Sequence, residues 1–245
     1  MTLTRVSPHE YTIDTPGFPE HLFSAASQQY LALPGAVRYA QQRNSVLQSA
    51  AEAVAFRLAA QRADLADNYQ VTRTAELYFK DNDTFAVAFD DDPAENILLS
   101  RAQQGYDAHK TTNKWLVPKD DPLIRAALAR AATTRRIVPL AEKVALATTA
   151  WNSASGHKTN MLLRATIGDL AEPYAEFLSY NNRHTGYEYC LDPRTLQQLG
   201  VDEEQVEVRC VGIGSSDNNI NLYAGGRCVD AGRARGVRSV AKPTD

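Results

Sequence analysis

Cysteine, methionine and tryptophan are scarce in this chain, at 3, 2 and 2 among 245 residues. Three thiols are too few for a disulfide framework, so a reducing compartment, the cytoplasm, is the expected location. No apolar run approaches the roughly 18 residues a membrane span needs. The first twenty residues lack the basic-then-apolar pattern of a secretory signal. An excess of one charge is missing too: 26 Lys and Arg face 29 Asp and Glu, for a net charge of −3. These absences exclude membrane-spanning, collagen-like, wholly disordered and disulfide-scaffold classes. With 44% hydrophobic residues, a chain this long buries a core without disulfides or metals.

Catalytic signatures are equally sparse. HExxH, CxxC, GxSxG and GxGxxG do not occur, and no glutamate precedes a lysine by two residues. The nearest approach to a phosphate loop is Ser153-Ala154-Ser155-Gly156-His157-Lys158-Thr159. It lacks the first glycine and puts a histidine between glycine and lysine. No cofactor and no metal are implied.

What is abundant is alanine, at 36 residues. It is dense from Ala25 to Ala175 and absent from Glu176 to Tyr223. Alanine is the best helix former, so the expected fold class is α+β. A helix-rich body with one β-hairpin would be followed by a small antiparallel sheet. The division reads as an extended, proline-bearing arm over 1–20, a body over 21–180, a strand-rich part over 181–231 and a basic tail over 232–245. The boundary near residue 180 would separate either two domains or two layers of one domain over 21–231.

Val37, Ala40, Asn44, Leu47, Ala51, Val54, Leu58 and Leu65 share a helical face and predict one long helix from Val37 to about Leu65. Two alternating runs, 74–79 and 84–89, flank Asp81-Asn82-Asp83 and predict the hairpin. Asp92-Pro93, Asp121-Pro122 and Asp192-Pro193 each set a capping acid before proline, predicting helices near 93–104, 122–136 and 193–199. Further helices are expected over 140–150 and from Thr159 past Phe177, weakened at Gly168 and Pro173. Strands are expected over 186–191, 206–213 and 220–223, with one more pairing around Cys228-Val229.

Candidate sites are few. Ser155, Lys158 and Thr159, with His157, precede an apolar helix, whose N-terminus favours anions; the simpler reading is a surface loop. His157, Lys158 and His184 are the catalytic candidates, with Cys190 and Asp169 behind them. Cys190, Cys210 and Cys228 read first as core residues, then as a reactive thiol with a histidine partner. Zinc is disfavoured because the thiols are not closely paired. The acids at 81, 83, 90, 91, 92 and 95 read as solvated turn and cap residues. Arg233, Arg235 and Arg238 lie in the basic tail, where arginine forks would contact nucleic-acid phosphates. No aromatics are interleaved there to stack on bases. Docking of this tail on the acidic body of its own or a neighbouring chain is the alternative.

Together these features favour a non-catalytic assembly or interaction protein that associates with itself or with other subunits, as in virus or phage particles and other shells. The second reading is a hydrolase or transferase acting on a phosphate-bearing substrate or nucleic acid.

Overall fold

The computed structural model describes residues 2–7, 9–14, 21–60, 69–140, 149–152, 161–180, 185–216 and 219–239. The α+β class holds, but the arrangement differs from a helical body followed by a small sheet. Two sheets organise the chain, and each draws strands from distant parts of the sequence.

The first sheet has five strands. They are β1 (Thr2–Ser7), β2 (Glu10–Asp14), β3 (His21–Ser24), β4 (Val46–Leu47) and β13 (Gly236–Ser239). The order is β1-β2-β3-β13-β4. Within the expected arm, Thr2–Ser7 and Glu10–Asp14 form paired strands, while residues 1, 8 and 15–20 lie outside the described residues. The stretch read as a basic tail supplies β13, which pairs antiparallel with both β3 and β4. Residues 240–245 lie outside the described residues.

The second sheet has eight strands. Its centre is the long strand β11 (Gln205–Ser216), flanked by β5 (Gln70–Asp81) and β12 (Asn219–Gly226). Beyond β5 come β6 (Thr84–Asp90) and β8 (Ile137–Pro139). Beyond β12 come β10 (Thr185–Tyr189) and β9 (Thr149–Asn152). The short β7 (Leu116–Pro118) pairs with the free end of β11. Pairing is antiparallel except between β10 and β12. The hairpin forms as expected: Asn82 and Asp83 take φ of 47° and 66°, the left-handed pair a two-residue turn requires. Cys228-Val229 forms a turn, not a strand.

Alternation along these strands fills a core on each face of the large sheet. Tyr78, Val87, Phe89, Val211 and Ile213 join one cluster, and Leu77, Phe79, Ala88, Val206 and Val208 join the other. Helices α1 (Leu33–Gln41), α3 (Ile97–Ser100), α4 (Ala102–Thr112) and α5 (Pro122–Thr133) contribute to the second cluster. Helices α2 (Ala50–Ala60), α6 (Met161–Ile167) and α7 (Ala171–Tyr180) contribute to the first.

The long helix expected over 37–65 is two helices. Asn44 turns left-handed at φ 51°, β4 intervenes, and α2 starts afresh. Ser49 and Glu52 make a reciprocal capping box: the Ser49 N–H donates to Glu52 Oε2 at 2.6 Å, and the Glu52 N–H donates to Ser49 Oγ at 3.1 Å. Residues 61–68 lie outside the described residues. Asp121 and Asp192 cap α5 and α8 (Pro193–Leu199) as expected. Asp92 instead holds a turn, accepting the N–H groups of Ala94 and Glu95 at 2.8 Å each. Asn96 is the cap of α3. Of the helix expected over 140–150, residues 141–148 lie outside the described residues, while 149 and 150 are in β9. The helix after residue 160 breaks at Gly168, where φ is +60° and a short 3-10 turn links α6 to α7.

Candidate functional site

Two concavities differ in their charge chemistry: one is lined by paired acids and arginines, the other by arginines without acids among the described residues. The first is a cleft of about 490 Å³ where the start of α2 faces the end of β6 and strand β13. It is crowded with ions, but they satisfy one another. Arg130 forks onto the buried Asp90 carboxylate at 3.0 and 3.1 Å and reaches Glu95 Oε2 at 3.0 Å. Hydrogen bonding to Asp90 raises the Arg130 guanidinium above its ordinary value, so it stays charged. Arg136 Nη1 donates to Asp91 at 2.6 Å.

At the floor, Arg73 holds Glu52 through both nitrogens, at 2.6 and 3.0 Å. The same arginine donates to the carbonyls of Leu47 and Asp91. His21 Nδ1 stands 3.6 Å from Glu52 Oε1. This resembles a histidine–carboxylate base, but the glutamate is already spent on the helix cap and the arginine fork. Its geometry is structural. Of the acids expected as solvated, Asp81, Asp83 and Glu95 are exposed, Asp91 and Asp92 are half-buried, and only Asp90 is a buried ion-pair partner, at 3% exposure.

The second concavity is an open groove of about 960 Å³ between α1 and the segment 25–31. His9, Gln28, Gln29, Arg38, Gln42 and Arg43 line it, and no acidic residue does among the described residues. Tyr39 ties its walls together by donating its hydroxyl to the Ala25 carbonyl at 2.8 Å. The Arg43 guanidinium lies 3.7 Å from the Tyr39 ring centroid. Arg233 arrives from the far end of the chain: it donates to the Ser27 carbonyl at 2.6 Å and lies 4.9 Å from the ring centroid of Tyr30. Tyr30 is 51% exposed. Among the described residues, no carboxylate lies within ion-pair distance of Arg38, Arg43 or Arg233, whereas Arg73, Arg101, Arg130, Arg136, Arg209, Arg227 and Arg238 each have one.

The expected site residues separate on inspection. Ser155, His157, Lys158, Thr159 and His184 lie outside the described residues. Asp169 is exposed in the 3-10 turn. The cysteines do not converge: Cys190 belongs to one core cluster and Cys210 and Cys228 to the other. Bonding to the Cys228 thiol, together with burial, pushes the Cys210 thiol well above its ordinary range. Among the described residues no group of three or more His, Cys, Asp and Glu could hold a metal ion.

The three arginines of the supposed tail have three different environments. Only Arg233 borders the groove. Arg238 pairs with Glu10 at 2.9 Å, a docking on the chain's own body. Arg235 is turned inward, donating to the Ser24 carbonyl at 2.6 Å with its guanidinium 3.7 Å from the Phe56 ring centroid. Burial lowers it to about 10. With 3% exposure it is placed to hold β13 down, not to touch a ligand. The groove residues Arg38, Tyr39 and Arg43 were missed in sequence. A signal existed: residues 21–51 contain no aspartate or glutamate.

No family model matches the chain, and no curated protein does. A solved structure described as "Accommodation of massive sequence variation in Nanoarchaeota by the C-type lectin fold" superposes with a TM-score of 0.58. The match covers 88% of this chain and 97% of that one, at 12% identity. The likeness places this chain in the C-type lectin fold. At that identity it speaks for the fold alone.

Proposed function

We propose that this chain is a non-catalytic interaction protein whose working surface is the basic groove and whose partner is anionic there. The observation that carries the reading is Arg38 and Arg43 in the groove, with Arg233 beside it on the Ser27 carbonyl, none within ion-pair distance of a carboxylate among the described residues. A guanidinium held ready and unpaired is a recognition group for phosphate, sulfate or carboxylate. The larger assembly reading fits beside it. Strand β1 is a sheet edge, and an edge strand offers unpaired backbone groups to a neighbouring chain. The protein would then serve as one subunit of a multi-component assembly, of the kind found in virus or phage particles or other shells.

The test is chromatography on immobilised heparin, a generic polyanion. The wild-type protein is expected to bind at low salt and elute as salt rises, despite its net charge of −3. The Arg38→Glu/Arg43→Glu double variant should elute far earlier than the single variant Arg194→Glu, which reverses an exposed charge outside the groove. Flow-through of the wild type, or equal elution of all three, would remove the reading. Light scattering of the eluted protein, with and without residues 1–8, tests the assembly part.

A further inference from the structure

We infer that Cys210 and Cys228 are a disulfide-forming pair, oxidised by a low-molecular-weight disulfide such as oxidised glutathione. The bond ties the central strand β11 to the turn that follows β12. Both thiols are free in this structure. Neither lines the groove, so the two readings stand or fall separately.

Three cysteines allow three pairings, and the fold favours one. Cys190 belongs to the core on one face of the large sheet, while Cys210 and Cys228 share the core on the other. Cys210 sits in the ladder of β11 opposite Gly226, the last residue of β12. Its thiol reaches the Arg227 carbonyl at 3.7 Å and hydrogen-bonds the Cys228 thiol just beyond it. Sulfurs already in hydrogen-bond contact need to close only roughly an ångström or two more to reach a bond length of about 2 Å.

Cys228 is held in place independently of Cys210. Its N–H donates to His109 Nδ1 at 3.2 Å, and its carbonyl accepts the Leu33 N–H at 3.1 Å. Accepting at Nδ1 leaves the His109 proton on Nε2, which stands 3.4 Å from Glu207 Oε1. That carboxylate is fixed in turn by Arg209 Nε and the Trp115 N–H, at 2.6 and 2.9 Å. Gly105 gives the sulfur its room: a Cβ there would stand 3.0 Å from Cys228 Sγ and 2.5 Å from the Trp115 ring. Both partners are thus positioned before they bond.

Thiol–disulfide exchange balances the step. One cysteine, as its thiolate, attacks a sulfur of oxidised glutathione. The glutathione S–S bond breaks, and one glutathione leaves and takes up the proton the cysteine gave. The second cysteine then attacks the protein sulfur of the mixed disulfide, and the second glutathione leaves in the same way. Two protein S–H groups and one glutathione disulfide become one protein S–S bond and two glutathione thiols. Exposure of 2% at Cys210 and 0% at Cys228 makes attack slow in the folded protein. The bond therefore forms as the chain folds or transiently opens.

The experiment refolds the full chain from urea into buffers of graded reduced-to-oxidised glutathione ratio. A parallel series keeps the chain unfolded in urea at the same ratios. Free thiols are blocked with N-ethylmaleimide. Trypsin, which cleaves after Arg209, Arg227 and Arg233, then places the two cysteines in separate peptides, 210–227 and 228–233. Mass spectrometry is expected to find these peptides joined in the refolded protein, with Cys190 outside any cross-link. The equilibrium constant for oxidation should be about a hundredfold larger in the folded chain than in urea, the gain expected for closing a loop of this length. Peptides 210–227 and 228–233 blocked separately after refolding in oxidised glutathione would overturn the inference. So would a cross-link to Cys190, or an oxidation constant no larger in the folded chain than in urea.

Discussion

The Glu52–Arg73 pair gives the sharpest stability prediction. Both side chains are nearly sealed, at 7% and 6% exposure. Arg73 joins α2 to β5 through Glu52, and it also holds the carbonyls of Leu47 in β4 and Asp91 beyond β6. Glu52→Gln keeps the volume but leaves the guanidinium buried without its counter-charge. Breaking one half of a buried pair costs about 3–5 kcal/mol. Weakening the bond to the Ser49 N–H adds part of a capping loss, itself about 0.5–2 kcal/mol. A loss near 4 kcal/mol is a large share of the roughly 5–15 kcal/mol that holds a domain folded. In a chain of this length it lowers Tm by about 8–16 °C.

Glu10 supplies the control. Its pair with Arg238 is open to solvent, with 46% exposure at the arginine and 35% at the acid, so Glu10→Gln should cost at most about 1 kcal/mol. Urea unfolding followed by circular dichroism reads both variants, provided the slope with denaturant is unchanged. If Glu52→Gln costs no more than Glu10→Gln, the pair is not a keystone of the fold and the ions of the cleft do not serve to hold it together.

Other consequences are open to direct measurement. Gly105→Ala should destabilise the protein by about 1–2 kcal/mol although alanine favours helices. An added Cβ would sit 2.5 Å from two carbons of the Trp115 ring, and overpacking outweighs the gain in propensity; a shift in tryptophan fluorescence should accompany the loss. Asp92→Asn should narrow the difference in Tm between pH 7 and pH 3. The Glu95 N–H, with Ala94 and Arg130 adding to it, holds the Asp92 carboxyl below its ordinary value of 3.8 against the opposing effect of burial. A lowered pKa contributes stability that is present above 3.8 and lost as pH falls through the folded value. An equal gap in the variant would refute this. The three cysteines should resist Ellman's reagent in the native protein at pH 8 and all react once urea unfolds it, because each is buried. Rapid native labelling of Cys210 would contradict its raised thiol.

The sequence made several elements readable because their signals act over a few residues. Asp121 and Asp192 each bond an N–H two or three residues on, so both helix starts are local facts. The Asn82-Asp83 turn is local too, since its left-handed angles are a property of those two residues. Even the break between α1 and α2 was written in Ser49-x-x-Glu52, although the apolar seam running through both helices obscured it. The groove was less legible. Its only trace was a run without acids, and a run without acids does not say which surface it will build.

The sequence by itself determined an α+β chain without a membrane-length apolar run, two capped helix starts and the tight turn at Asn82-Asp83. Tertiary structure decided the rest. The order β1-β2-β3-β13-β4 brings β13 between strands from the first fifty residues, and that placement turns Arg235 inward and Arg233 toward Tyr30. It also set which arginines are neutralised. Arg130 finds Asp90 forty positions away, while Arg38 finds no carboxylate among the described residues. Charge pairing depends on distance in space, falling off over a few ångströms. The same residue type becomes a buried strut, a surface pair or a charge without a carboxylate beside it only once the sheets have been ordered.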